Sequence, residues 1–529
     1  MRLLRPSLWT PLLACLAATC TGAGSKPNFG GTWKLNNTVP PEIYVVEHSD
    51  SQFRIVMFVD NDAGVRTLDV KGPIDGQPHP QTVNGSPCVF TARWEGDTLY
   101  WETRRETRDG VRHNRRFMQL SADGRVVTAR RTRVMPAPQE TWTETWEKQD
   151  PPLAESHTTG FALRNKVYAS GESLAGREGA ILRGVVAVAF NDLPQAEREL
   201  LPILRQEPND SVLDPVREIL SDLYGRTGQP RKALEYCNPG EREYFEQISK
   251  YPDVSVTRRG CARVQALRGH DGALILPLVA AGKDAAYEVD TGSNMSLLRL
   301  SEARRLGLKL EPVTRRITDV TGAGYEAYLA IVPTLSVGEM RLQNASFWIV
   351  DDARIDAPGL VGIDLLLQFQ TLRWNSSGVI EVGFPAQERN LRQANIYFEG
   401  SFPIVEASSN GHAGLSFVLD TGYTGTHLYV PFASRFLDLV AAKGRQGTYQ
   451  MNGQAGHSKW RELVVPEVRL QIGGMDTTIR DADVLVEKAP QPTWHYGCIG
   501  IDALNQAQTV TLDFQAMRLT LEGKASSRP

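Results

Sequence analysis

Two aspartates in the second half of the chain each begin the same tripeptide, Asp-Thr-Gly. The two triplets are Asp290-Thr291-Gly292, within YEVDTGSNMSLL, and Asp420-Thr421-Gly422, within FVLDTGYTGTHL. Each follows an apolar run and precedes small polar residues and a leucine. Two carboxyl groups about 3 Å apart cannot both ionise cheaply, so they share a proton. Such a pair can take a proton from water with one member and polarise a carbonyl group with the other.

The residues that follow the two triplets differ. The first triplet precedes Ser293, whose hydroxyl can hydrogen-bond the neighbouring carboxylate and favour its charged form. The second precedes Tyr423, whose phenol is too long for that contact. We therefore expect an asymmetric pair, with Asp290 more readily ionised and Asp420 more often protonated. The alternative is that Tyr423 only makes the entrance of the second half more aromatic.

The elements around each triplet recur in the same order, which predicts an internal duplication. Each copy has an apolar strand ahead of the triplet and, behind it, a glycine-rich hairpin tip, a strand that ends in glycine, an apolar pair before Gly-Ile-Asp, and a closing strand. The paired segments are 273–279 and 402–405, 321–325 and 452–456, 335–338 and 470–473, 360–364 and 498–502, and 379–382 and 517–521. A tight turn of this kind needs glycine after each threonine.

These motifs resemble the aspartic peptidases of the pepsin and retropepsin type, which have a DTG loop, a glycine-tipped flap, and two apolar residues and a glycine beneath the loop. The resemblance covers roughly residues 265–525 and implies a bilobal all-β acid-protease fold, with lobes at 265–390 and 391–525. It implies that Asp290 and Asp420 are catalytic and that Thr291 and Thr421 cross-brace the two loops. Gly292, Ser293 and Gly422 would support this dyad.

The resemblance also implies flaps over the substrate, with Gly324 and Tyr325 at the first tip and Gly456 at the second. An ordinary exposed hairpin tyrosine is the alternative for Tyr325. The second tip has no aromatic residue until Trp460.

The leading hypothesis is an exported aspartic endopeptidase that acts on a peptide or protein substrate. One alternative is an inactive peptide-binding or scaffold protein of the same bilobal fold, and another is a ligand carrier centred on the N-terminal region. No C-x-x-C or His-rich spacing predicts a metal site, and no cofactor is expected. Because both carboxyl groups lie in one chain, we expect a monomeric catalytic unit.

The ends and composition of the chain bear on its location. Residues 1–24 combine a basic start, an apolar stretch and small residues, which predicts a signal peptide and a periplasmic or secreted protein. Cys15 and Cys20 leave open an N-terminal lipid anchor. We expect no transmembrane segment, because no later apolar run is long enough. A net charge of −3 in 529 residues does not favour a nucleic-acid partner.

Residues 25–150 predict an antiparallel β-meander or small barrel, because short alternating strands are separated by Gly, Asp and Asn turns. The opening Gly31-Thr32-Trp33 is similar to that of lipocalin-type barrels. The arginines from Arg104 to Arg133 are interpreted as the solvated face of strands, with an anionic-surface site as the alternative.

Between the two β regions, 151–179 reads as a linker and 180–250 as a helical spacer. Residues 222–228, followed by Ala233 and Leu234, resemble the second half of a tetratricopeptide repeat, which leaves a peptide-docking surface as the alternative. A disulfide between Cys237 and Cys261 is plausible, and Cys498 is expected to be a buried free thiol. The fold class predicted for the whole chain is multidomain and mainly β.

Overall fold

The computed structural model describes residues 26–35, 43–58, 66–83, 86–107, 110–135, 137–149, 159–170, 176–269, 272–319, 321, 323–436, 439–440, 443–453, 457–485 and 495–523. The predicted signal peptide lies outside these residues. The chain divides into two compact units, one ending at Ser156 and the other beginning at His157. Strands predominate in both β regions, which confirms the multidomain, mainly β fold. Among the described residues, no helix is long and apolar enough to cross a membrane.

The N-terminal unit is an antiparallel barrel. Its described strands are β1 (Gly31–Leu35), β2 (Ile43–His48), β3 (Gln52–Phe58), β4 (Arg66–Pro73), β5 (His79–Val83), β6 (Ser86–Glu95), β7 (Thr98–Thr107), β8 (Gly110–Leu120), β9 (Val126–Met135) and β10 (Glu140–Gln149). They form one sheet in the order β4-β3-β2-β1-β10-β9-β8-β7-β6-β5. The edge strands meet where the Gln81 side chain exchanges hydrogen bonds of 3.2 and 3.0 Å with the Lys71 backbone. The sheet thus curls into a barrel.

Aromatic side chains fill the barrel, and one arginine lies among them. Tyr44 stacks on Trp146 with ring centroids 4.2 Å apart. Arg116 is only 2% exposed; its guanidinium lies 4.7 Å from the Trp101 ring and 3.5 Å from the Glu144 carboxylate. The predicted solvated arginine face is therefore wrong for Arg116, because Glu144 compensates its charge inside the core.

Along the sequence, a series of helices comes between the strands of the N-terminal unit and those of the first lobe. They are α1 (Gly160–Ser170), α2 (Gly176–Ala189), α3 (Leu193–Gln206), α4 (Asp214–Arg226), α5 (Pro230–Tyr236) and α6 (Pro239–Ile248), with a 3-10 turn at Ser211–Leu213. Helix α1 lies where the sequence predicts a linker. Its Phe161 and Leu163 are buried, and the Phe161 ring lies 4.8 Å from Tyr397 of the second lobe. Contacts distant in sequence, rather than a local pattern, stabilise this helix.

The first lobe has an intertwined sheet. Its elements are β11 (Ser255–Arg258), β12 (Ala262–Gln265), β13 (Leu267–Arg268), β14 (Leu274–Ala280), β15 (Lys283–Val289), β16 (Leu297–Arg299), α7 (Leu300–Leu306), β17 (Thr314–Thr318), β18 (Gly324–Val337), β19 (Met340–Val350), β20 (Gly359–Val361), α8 (Ile363–Phe369), β21 (Thr371–Asn375) and β22 (Val379–Val382). Strand β14 alternates buried and half-buried residues, as a strand covered mainly on one face does.

The second lobe repeats these pairings. Its elements are β23 (Ile396–Glu399), β24 (Phe402–Ser409), β25 (His412–Leu419), β26 (His427–Leu428), α9 (Val430–Arg435), β27 (Arg445–Asn452), β28 (His457–Ile472), β29 (Met475–Leu485), β30 (Gly497–Ile499), α10 (Ile501–Leu504), β31 (Thr509–Asp513) and β32 (Arg518–Glu522). Strand β20 pairs in parallel with β15 and antiparallel with β16 in the first lobe. Strand β30 pairs in the same way with β25 and β26 in the second lobe.

A third sheet and the helices join the lobes. Strands β12, β22 and β21 of the first lobe continue into β31 and β32 of the second. Buried Arg164 donates hydrogen bonds to the carbonyls of Leu391 and Ala394, and Arg226 donates one of 2.8 Å to that of Gly400. The helical segment therefore holds the first residues of the second lobe.

The cysteines differ in part from expectation. Cys237 and Cys261 are both free thiols, so the disulfide considered for them is wrong: Cys237 ends helix α5, whereas Cys261 is exposed between β11 and β12. Cys498 is a buried free thiol, as predicted.

Candidate active site

The two Asp-Thr-Gly loops are anchored in the same way. Each aspartate follows a strand, and its backbone N–H donates to the strand that pairs in parallel with it. Asp290 donates to the Val361 carbonyl at 3.1 Å, and Asp420 donates to the Ile499 carbonyl at 3.0 Å. The matching apolar pairs before Gly-Ile-Asp thus lie beneath the two loops.

Thr291 and Thr421 connect the loops crosswise, and both are fully buried. The Thr291 hydroxyl accepts from the Thr421 N–H at 3.0 Å and donates to the Leu419 carbonyl at 2.8 Å. The Thr421 hydroxyl accepts from the Thr291 N–H at 3.0 Å and donates to the Val289 carbonyl at 2.7 Å. Four buried hydrogen bonds therefore fix one loop against the other.

Glycine follows each threonine because the opposite carboxyl group occupies the adjoining space. A Cβ atom on Gly292 would lie 2.3 Å from Cγ of Asp420, and one on Gly422 would lie 2.5 Å from Cγ of Asp290. The two carboxyl groups hydrogen-bond each other. The structure thus brings together Asp290, Asp420 and the residues predicted to support them.

The two carboxyl groups are not equivalent. Asp290 accepts from the backbone N–H groups of Gly292 and Ser293 at 2.9 and 3.0 Å, whereas Asp420 accepts only from that of Gly422, at 3.0 Å, among the described backbone. Burial raises the pKa of Asp290, and burial together with the charge of Asp290 raises the pKa of Asp420 well above its usual range. The larger rise in pKa at Asp420 and the two N–H groups beside Asp290 therefore favour Asp420 as the member that carries the shared proton.

The source of this asymmetry differs from the expectation. The Ser293 hydroxyl donates to the Met295 carbonyl at 2.7 Å, so the predicted hydroxyl contact with the carboxylate is wrong. The Ser293 backbone makes the contact instead. Sequence composition cannot distinguish the two, because the turn decides which atom of Ser293 faces Asp290.

A second pair of braces lies below the loops, and sequence reasoning missed it. Ser296 donates to Asp364 at 2.7 Å and accepts from the Gly362 N–H at 3.0 Å. In the second lobe, Thr426 donates to Asp502 at 2.7 Å and accepts from the Gly500 N–H at 3.1 Å. Burial raises the pKa of Asp364 to about 6. The repeat itself contained the signal, since hydroxyl and carboxyl residues recur at matching places in both copies.

Two hairpins, β17–β18 and β27–β28, project from the lobes and meet. A Cβ atom on Gly453 would lie 2.2 Å from the Asp319 carboxylate and 3.0 Å from the Thr321 methyl group. Thr321 in turn donates its backbone N–H and its hydroxyl to Asp319 at 2.9 and 2.6 Å. The first tip is thus ordered internally and contacts the second.

The predicted flap residues have different placements. Gly324 begins β18 and Gly456 lies outside the described residues. Tyr325 is 6% exposed and packs in the first-lobe core, so the alternative of an exposed hairpin tyrosine is wrong. Burial raises its pKa, and the negative charges of Asp319 and Asp290 add to the effect, which places Tyr325 within electrostatic reach of the dyad. Among the described residues, no three His, Cys, Asp or Glu side chains are grouped to hold a metal ion.

Residues 276–365 match the family model described as aspartyl protease. This match supports an aspartic protease-type domain in the first lobe. A retropepsin-like aspartic protease from Rickettsia conorii is 21% identical, with 24% of this chain and 93% of that chain covered and a TM-score of 0.19. A secretory abundant heat soluble protein from Ramazzottius varieornatus is 10% identical, with 24% of this chain and 100% of that chain covered and a TM-score of 0.19. The comparison with curated proteins found no match.

Proposed function

We propose that the chain is an exported aspartic endopeptidase in which Asp290 and Asp420 form one catalytic dyad. The observation that carries this proposal is the hydrogen bond between the two carboxyl groups, held by loops that Thr291 and Thr421 brace crosswise. A scaffold or binding protein needs neither carboxyl group, whereas water activation needs both.

The asymmetry assigns a role to each carboxyl group. Asp290, ionised and supported by two backbone N–H groups, takes a proton from the attacking water. Asp420 gives its proton to the carbonyl oxygen as the oxygen of water bonds to the carbon. In the second step Asp290 gives its proton to the amine nitrogen, the carbon–nitrogen bond breaks, and Asp420 takes a proton from one hydroxyl of the diol, which becomes the new carbonyl oxygen. The dyad returns to its singly protonated state.

The substrate would lie extended between the lobes and beneath the two hairpins, with backbone hydrogen bonds of the β-augmentation type. This arrangement suits a peptide or an unfolded segment of a protein. The N-terminal composition supports export, and the location would be periplasmic or secreted. N-terminal sequencing of the protein recovered from outside the cytoplasm tests this part, and an intact Met1 on that protein would contradict cleavage of a signal peptide.

The decisive experiment is cleavage of a mixed peptide library by the full mature chain from about pH 3 to about 7.5, with and without pepstatin. Asp290→Asn and Asp420→Asn are the test variants. Asp481→Asn is the matched control, because its side chain is 70% exposed and paired with Arg445. Activity that is lost in both test variants and kept in the control supports the shared dyad. Activity that survives in either test variant would sink the mechanism, and peptide binding without cleavage by the wild type would favour a binding module.

A further inference from the structure

Strand register allows the inner faces of the two lobes to be compared residue by residue. In the first lobe, Leu297 on β16 pairs with Leu360 on one side and Trp348 on the other. In the hairpin, Ile317 pairs with Tyr325. All five residues belong to one buried cluster. The first lobe therefore presents an apolar and aromatic face.

The same positions in the second lobe carry polar groups. His427 on β26 pairs with Cys498 on one side and Asp483 on the other. In the hairpin, Tyr449 pairs with Trp460. An aliphatic and aromatic set in one lobe thus corresponds to an imidazole, a thiol, a carboxyl group, a phenol and an indole in the other.

Glu462 adds a second carboxyl group to this face. Counted back from the turns that end β18 and β28, Glu462 occupies the position that Ala327 occupies in the first lobe. Glu462 and Asp483 hydrogen-bond each other, and burial with the charge of Asp483 raises the pKa of Glu462 to about 7. Neither carboxyl group has a Lys or Arg partner within the described part of the chain. Among the described side chains, the pair therefore has no positive charge beside it.

Two side chains on this face carry buried polar atoms that have no hydrogen-bond partner among the described residues. His427 is 3% exposed and Glu462 is 5% exposed. Among the described residues, Oε2 of Glu462 makes no hydrogen bond, and the His427 ring interacts only with the Gly425 backbone, so at least one of its two nitrogens has no partner. Burial, which outweighs the nearby Gly425 backbone, lowers the pKa of His427 to about 4, so the ring is neutral and keeps one acceptor nitrogen. Unpaired buried polar groups are rare and costly unless a ligand completes them.

Tyr423 connects this face to the dyad. It follows Gly422 directly, its hydroxyl hydrogen-bonds that of Tyr449, and its ring centroid lies 4.9 Å from that of His427. The charges of both Asp420 and Asp483 act on its phenol. The residues Tyr423, His427, Tyr449, Glu462, Asp483 and Cys498 together form what we call the polar face. It extends from the Asp420 side of the dyad.

The first-lobe face is closed differently. Tyr244, Ile248 and Tyr251 pack against its apolar cluster, and the Tyr244 and Trp348 ring centroids are 5.9 Å apart. A cavity of about 210 Å³ remains between helices α4 and α6 and this lobe. The helical segment thus completes an apolar surface in the first lobe.

We propose that the polar face is a substrate subsite on the Asp420 side of the cleft and that it selects a lysine or arginine side chain. This inference deepens the proposed function and rests on it. An ammonium or guanidinium group brings only donors, which match the acceptors of Glu462, Asp483 and neutral His427. Hydrogen bonds to charged groups contribute roughly 1.5–3 kcal/mol, so we expect a preference of about tenfold to about a hundredfold over an apolar side chain of equal length.

The test uses pairs of peptides that differ only in lysine or norleucine at one position, with that position moved along the peptide. The ratio of kcat/KM for the two peptides is measured for the wild type, Glu462→Gln and Asp483→Asn. Asp476→Asn is the matched control, because it removes the same charge from an exposed position of the same strand β29. We expect a lysine preference at one position, a fall of at least about tenfold in both variants, mainly through KM, and no fall in the control.

The outcomes separate the inference from the proposed function. Norleucine peptides cleaved as well as lysine peptides, or a lysine preference that survives both substitutions, would overturn the subsite while leaving the peptidase intact. If no peptide is cleaved, the proposed function fails, and the binding of the same peptides, labelled for fluorescence anisotropy, tests the subsite instead. Tighter binding of the lysine peptide than of the norleucine peptide would support the subsite, and equal affinities would overturn it. Should Glu462→Gln fail to fold, Asp483→Asn and His427→Leu, which installs the first-lobe residue, provide the same comparison.

Discussion

Removal of the Thr291 hydroxyl is the sharpest test of how the two loops are held. This one oxygen accepts from the Thr421 N–H at 3.0 Å and donates to the Leu419 carbonyl at 2.8 Å, in a place with no solvent exposure. Thr291→Ala leaves both backbone groups unpaired. Thr291→Ser keeps the hydroxyl and removes only a methyl group, so it is the matched control.

The expected magnitudes differ enough to be separated. Each buried backbone group left without a partner costs about 1–3 kcal/mol, so Thr291→Ala should destabilise the protein by roughly 2–6 kcal/mol. Thr291→Ser should cost about 1 kcal/mol, the contribution of one buried methyl group. A displacement of about 1 Å between the carboxyl groups would also lower kcat by about a hundredfold in the alanine variant.

Thermal and urea unfolding of the full chain, with kcat on one good peptide, would measure both effects. The reasoning is refuted if Thr291→Ala is no less stable than Thr291→Ser. It also fails if the alanine variant loses stability but keeps its kcat, because the brace would then not position the dyad.

Three further substitutions test other parts of the structure. Since the pKa of Asp420 is raised, its contribution to stability is complete below about pH 4 and is lost as pH rises through the folded pKa. The Tm of Asp420→Asn should therefore rise relative to that of the wild type as pH increases from about 4 to about 8. A Tm difference that stays constant over this range would contradict the prediction. Gly422→Ala should abolish cleavage with an unchanged circular dichroism spectrum, because its Cβ would meet the Asp290 carboxyl group. The control Gly425→Ala has nothing within 4 Å of its Cβ and should stay active. Equal activities of the two variants would refute the close approach of Gly422 to Asp290. Arg226→Met should lower the free energy of unfolding by about 2–4 kcal/mol, since Arg226 is buried and hydrogen-bonded to the turn between β23 and β24 of the second lobe. An unchanged urea midpoint would show that the helices do not hold that turn.

The sequence by itself was enough to identify the pair of carboxyl groups and the mainly β plan. Asp290 and Asp420 are recognisable because a tight turn needs a fixed local motif, and because that motif occurs twice with the same neighbours in the same order. The apolar residues before Gly362 and Gly500 can be recognised in the sequence for the same reason. Such signals are local, so they can be read without coordinates.

The tertiary structure alone decided which atoms meet. It showed that the Ser293 backbone and not its hydroxyl supports Asp290, that Arg116 lies inside the barrel, and that helix α1 forms where a linker was expected. It also placed His427 beside Asp483, which gives the second lobe a polar inner face. These features depend on hydrogen bonds and packing between residues far apart in the chain, and the turn geometry and strand register that create those contacts leave no periodic pattern in the sequence.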